Sequence, residues 1–256
     1  MQRSQNQTMN NSEDKLELTF KRLVKRFKTL SEDLQRVCIL KETLYSLDYV
    51  DGARLIEIIL QKGFMNRDIE LLSPVFYLLE DESFLEYKNI LKTVAVEENL
   101  EELNTLLQEI EPVLEPPEEA RVPDYGAGRP LTLGERKAIA RRPSRALFDK
   151  LIMDPHPSVI RNLLDNPKLT ERDVIKLCAI RPNRPEILKT VALHPRWQKN
   201  YNVKLAIIKN PYTPTYVSMR IALFLLPQDL NEIAENTRLH PALRKFCKRL
   251  LTKSGN

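Results

Sequence analysis

Residues 161–182 read RNLLDNPKLTERDVIKLCAIRP. An apolar pair, Leu163 and Leu164, closes a short helical segment that Asn166-Pro167 must end, because proline has no N–H to donate into a helix. Thr170 with Asp173 three residues on is a capping box, which opens a new helix through Ala179. Within one window the chain shows a stop, a loop and a start.

The same punctuation recurs on both sides. All three histidines precede proline, at His156-Pro157, His194-Pro195 and His240-Pro241, and further breaks stand at Pro143, Pro155, Pro167, Pro185, Pro211 and Pro214. Thr132 with Glu135 forms a second capping box, predicting a helix to about Arg142, after which Ser144 is expected to cap residues 145–153. Helices are then predicted over 158–165, through Ala179, over 185–193, 202–209, 214–226, 229–235 and 241–251. VIRNLLDNP (159–167) superposes on VKLAIIKNP (203–211), and KTVALHP (189–195) is a third copy with His in place of Asn. Segments this short cannot hold a helix alone, so stacked neighbours must supply the burial.

On these marks the run from Leu133 to Leu251 resembles the leucine-rich repeat variant and HEAT-like class of bacterial α-solenoids. The resemblance covers about half the chain and implies a curved stack of short helix pairs that binds proteins and sometimes nucleic acid. Arg196 to Tyr201, with Trp197, departs from a strict repeat.

The composition agrees with an all-α chain of two parts. Six glycines stand against seventeen prolines in 256 residues, which favours helices with hard stops over sheets with tight turns. No apolar run is long enough to span a bilayer, and no membrane span, cofactor or small-molecule substrate is expected; the reading is cytoplasmic. Cys38, Cys178 and Cys247 are expected to be reduced core thiols. Residues 1–120 hold 14 Lys+Arg and 24 Asp+Glu, whereas 121–256 hold 26 and 11, so the halves are of opposite charge. The expected organisation is a disordered tail at 1–11, an acidic helical module at 12–114, a Pro/Gly linker at 115–130 and a basic HEAT-like domain at 131–252.

In the acidic module, Ser12 and Ser31, each followed by Glu-Asp, are expected to start two helices. Leu16, Phe20, Leu23, Phe27, Leu30, Leu34 and Val37 keep helical spacing on one face, leaving Lys21, Arg22, Lys25, Arg26 and Lys28 as a solvated face. Further helices are predicted over 50–62, stopped by Gly63, over 67–79 around Pro74, and over 82–96 and 100–110. The acidic run Glu97–Glu119 could fold back on the basic domain as a mask.

Catalytic signatures are wanting. The histidines have a punctuation role, no Gly-rich phosphate loop follows a strand, and no pair of carboxylates is embedded in an apolar setting that would raise a pKa. What remains is a basic surface interleaved with aromatics. Arg141, Arg142, Arg145, Arg181, Arg184, Arg196, Trp197, Lys199, Lys204, Tyr212 and Tyr216 are the expected partner-binding residues. The expected function is a non-catalytic scaffold that binds an acidic protein partner, with nucleic acid as the alternative ligand of the same face.

Overall fold

The structure, a computed structural model, describes residues 2–107, 114, 121–142 and 144–252, with side chains from Asp14 onward. Among these residues it holds fifteen α-helices, two 3-10 turns and no strand, so the chain is all-α. Two compact units divide it, Met1–Glu109 with Thr252–Asn256, and Ile110–Leu251. The break between the units falls ahead of residues 115–130, and 121–130 belong to the second unit.

The first unit comprises α1 (Gln2–Phe27), α2 (Asp33–Tyr45), α3 (Tyr49–Asn66), α4 (Ile69–Glu80), a 3-10 turn at Glu82–Phe84, α5 (Leu85–Glu97) and α6 (Glu101–Leu107). Neither serine start is used. No proline or glycine interrupts residues 2–27, so α1 runs straight through Ser12 and takes in the expected tail. The N-cap of α2 is Glu32, without a side-chain capping bond. The junction is held instead by Arg36, buried on α2, which donates to the carbonyls of Phe27 (3.2 Å) and Leu30 (2.6 Å) past the end of α1. The apolar stripe breaks at this same junction: Leu16, Phe20, Leu23, Phe27 and Val37 are buried, but Leu34 is exposed. Lys21, Arg22, Lys25 and Arg26 on α1, and Lys28 just past its end, are exposed opposite a buried face.

Gly63 does not stop α3. The helix continues to Asn66 and ends at Arg67 with φ of 48°. A Cβ on Gly63 would lie 2.6 Å from Leu72 Cδ2, so the glycine permits close approach of α3 to α4. Pro74 lies within α4 as expected. Glu57 on α3 is buried. It accepts from the Glu102 and Leu103 amides at 3.2 and 2.8 Å, capping α6 from a neighbouring helix. Residues 108–110 of the last expected helix lie outside the described residues, as do 108–113 and 115–119 of the proposed mask at Glu97–Glu119.

The second unit comprises α7 (Leu133–Arg141), a 3-10 turn at Arg145–Leu147, α8 (Phe148–Leu151), α9 (Pro157–Leu164), α10 (Glu171–Ala179), α11 (Pro185–Leu193), α12 (Tyr201–Ile208), α13 (Thr215–Ala222), α14 (Pro227–Glu235) and α15 (Pro241–Thr252). Both capping boxes are formed. Ser144 makes no capping bond, and the chain enters α8 through the 3-10 turn rather than as one helix over 145–153. α13 ends at Ala222, four residues earlier than expected.

Helices two apart in the chain pack side by side: α7 on α9, α9 on α11, and α10 on α12. Consecutive helices also pack, as α8 on α9, α11 on α12 and α12 on α13. The unit is therefore a stack of helix pairs, with Val159, Ile160, Leu163, Val174, Leu188, Val191, Val203 and Ile208 wholly buried between layers. Cys178 and Cys247 are in this core, and burial pushes the Cys247 thiol up to about 12 and the Cys178 thiol further. Cys38 is exposed, against expectation.

Candidate interaction surface

One device recurs in five of the loops of the stack. His156, His194 and His240 each accept through Nδ1 from the amide two residues on, at 3.1, 3.3 and 3.1 Å. Asn166, Asn210 and Asn236 do the same through Oδ1, at 2.9, 3.1 and 3.1 Å. Histidine and asparagine thus play the same turn-forming part, each satisfying an amide of the loop or of the first turn of the following helix. Histidine can accept at Nδ1 only when that nitrogen is unprotonated.

This makes one pH effect specific. Burial lowers the His240 pKa below its usual value. The folded state therefore binds its proton less readily than the unfolded chain, and stability from this turn is full above the ordinary histidine pKa of about 6.5 and is lost as pH falls through the lowered folded value. The His240 Cε1–H resonance is expected to titrate with a midpoint below about 6.5, and His240→Asn to keep α15 folded with no titration there. A midpoint at or above that value would refute the acceptor role.

The turns also tie layers together. Asn166 Nδ2 donates back to the Arg141 carbonyl, and His194 Nε2 meets Asp165 Oδ1 at 3.0 Å. Arg196 donates to the carbonyls of Asn166 (2.8 Å) and Leu169 (2.9 Å), and Trp197 Nε1 to that of Leu164 (3.0 Å). These bonds align the end of α7 at Arg141 with the loops 165–170 and 194–200 along one edge. On the other edge run the loops between pairs, where Asn210 Nδ2 donates to Cys178 and Ile180 and Arg181 donates to the Lys209 carbonyl.

The expected binding residues divide accordingly. Arg141, Arg142, Arg145, Arg196 and Lys199 fall on the first edge; Arg181, Arg184, Tyr212 and Tyr216 fall on the second. Trp197 is 4% exposed with its indole N–H engaged, so it is a core residue and offers no face to a partner. Arg196 is exposed but lies across the Trp197 ring at 4.3 Å, with its fork engaged by the Asn166 and Leu169 carbonyls. Arg145 is held by Asp173 through two bonds of 2.6 and 2.8 Å and covers Phe148. Against the burial that would raise it, Arg145 and Thr170 pull the Asp173 carboxyl down to about 2. Lys204 is half-buried over the Phe224 ring, and burial, then Arg220, lower its pKa. Arg184 is half-buried with Glu186 at 3.6 Å.

Arg141, Arg142 and Lys199 are exposed, and Lys168, which the sequence did not single out, joins them from the 165–170 loop. No described residue pairs with these four side chains. They stand on three successive layers of one edge, so their charge is presented to solvent rather than spent on packing.

The segment before the stack also belongs to it. Tyr125 donates to Asp154 at 2.6 Å, and Arg136 meets both oxygens of that carboxylate at 2.7 and 2.6 Å. Burial and the Asp154 bond raise the Tyr125 pKa far above its usual value. Residues 121–131 and Met153 enclose an open groove of about 730 Å³ beside this tie. Among the described residues no group of three or more His, Cys, Asp or Glu could hold a metal ion, and no helix is long and apolar enough to cross a membrane.

No protein-family model, no curated protein and no solved structure matches the chain. The surface must be interpreted from its own geometry.

Proposed function

We propose that the second unit is a non-catalytic interaction module of HEAT-like kind, which binds an acidic segment of a partner protein along its first loop edge. The observation that carries this is the row of Arg141, Arg142, Lys168 and Lys199, exposed and with no side-chain partner among the described residues, beside Arg145 and Arg196 whose forks are engaged within the fold. A row of exposed cations on successive layers favours a carboxylate-rich extended chain, and its charge would speed encounter. Binding nucleic acid by stacking needs exposed aromatic faces next to the cations. Here Trp197 is buried, and Tyr201 donates its hydroxyl to Asp229, which favours the peptide reading.

The test is fluorescence anisotropy of a labelled Glu/Asp-rich peptide and a labelled single-stranded oligonucleotide with the full chain. Reversing the four charges, as R141E/R142E/K168E/K199E, is expected to weaken peptide binding about 30-fold or more, the sum of four modest rim contributions. Tighter binding of the oligonucleotide, or peptide affinity unchanged by the reversal, would overturn the proposal.

A further inference from the structure

The first unit carries an exposed aromatic patch of opposite electrostatic character. Tyr45 ends α2 and Tyr49 begins α3, and they are 55% and 49% exposed. Both rings stand edge-on to Tyr87, with centroids at 5.4 and 5.1 Å, while Phe84 stacks on Tyr87 at 4.8 Å and meets Tyr45 edge-on at 6.2 Å. Leu85, beside Phe84, is 56% exposed. The support beneath is rigid: Tyr87 is buried, donates to the Leu44 carbonyl at 3.1 Å, and lies so close to Gly52 that a Cβ there would fall 2.3 Å from its hydroxyl. Tyr45 and Tyr49 are therefore preorganised, and a partner would lose little further side-chain entropy on covering them.

Carboxylates surround this patch. Glu42, Asp48, Glu82 and Glu86 are exposed, and no described residue pairs with Glu42, Glu82 or Glu86. Asp48, Glu82 and Glu86 stand at helix starts, where an acid stabilises the fold. Glu42 has no such reason, since it lies in the C-terminal part of α2, where the helix dipole disfavours an anion. Lys41, the nearby cation, is held by Asp81 and Ser83 at 3.0 and 2.6 Å.

We infer that the Tyr45–Tyr49–Leu85 patch docks a cationic segment of another protein, one with a large apolar anchor flanked by arginine or lysine. The anchor covers the exposed edges of the tyrosines and Leu85. The flanking cations lie over the electron-rich tyrosine faces and against Glu42 and Glu86, an arrangement that combines cation–π attraction with carboxylate pairing. This surface is independent of the basic edge of the second unit, and the two would recognise partners of opposite charge.

The test is anisotropy of a labelled amphipathic peptide of Leu, Ala and Arg with the full chain, beside a Ser/Arg peptide of equal charge without apolar residues. The amphipathic peptide is expected to bind at least about tenfold more tightly, and Y45A/Y49A to remove that advantage, as hot-spot aromatics do. E42K/E86K changes only exposed charges and is expected to weaken both peptides while leaving the far-ultraviolet circular dichroism unchanged. The inference falls if neither variant alters binding. It also falls if the chain self-associates in sedimentation and Tyr45→Ala abolishes this, because the occupant would then be a second copy.

Discussion

Replacing Asp154 with alanine is expected to destabilise the second unit by about 3–5 kcal/mol, the cost of leaving a buried cation without its partner. Asp154 is 1% exposed and meets Arg136, itself 7% exposed, through both carboxylate oxygens. It also accepts from Tyr125 and from the His156 amide, so one side chain joins the segment before the stack to the entry of α9. Among the described residues Arg136 Nε has no hydrogen-bond partner, which leaves the guanidinium dependent on this carboxylate. Tyr125→Phe removes one bond and should cost about 1 kcal/mol. Replacing the pair together, as Arg136→Met with Asp154→Leu, should recover much of the loss, because no charge is then buried. Urea midpoints of the four proteins check the series. If D154A alone cost less than about 1 kcal/mol, the pair would not be the tie described.

The second large effect is expected at Asn210. Its side chain accepts from the Tyr212 amide and donates to the carbonyls of Cys178 and Ile180, at 2.7 and 3.0 Å, in a site 1% exposed. Asn210→Asp keeps the acceptor that forms the turn but points a carboxylate at two carbonyls. Its cost should be about 3 kcal/mol or more near neutral pH, at least that of Asn210→Ala. The ordering of the two variants separates the turn from the tie between layers. If aspartate were tolerated within about 0.5 kcal/mol while alanine was not, the turn alone would explain the residue.

These two sites show where local sequence was readable. Both capping boxes and the Asn-Pro and His-Pro stops depend on residues within a few positions of one another, and they form as expected. Gly63 was misread because its role depends on Leu72 in the next helix rather than on the local backbone. Trp197 looked like a binding aromatic because its acceptor, the Leu164 carbonyl, stands 33 residues away. Arg141 and Arg145 look alike in sequence, yet Arg145 is paired because Asp173 falls 28 residues on. The same offset separates Tyr201 from Asp229, and Tyr125 lies 29 residues before Asp154. A polar pair recurring at the length of one helix pair was the available signal for these interlayer ties. It would have separated the fixed arginines from the unpaired row that Lys168 completes.

Hydrogen exchange of the full chain with and without the Glu/Asp-rich peptide tests the central claim most directly. The account predicts added protection in residues 139–145, 165–172 and 194–200, the loops along the first edge, with none gained over 180–184 or 209–216. Protection of the second-edge loops instead, or no change in the second unit at saturating peptide, would contradict it.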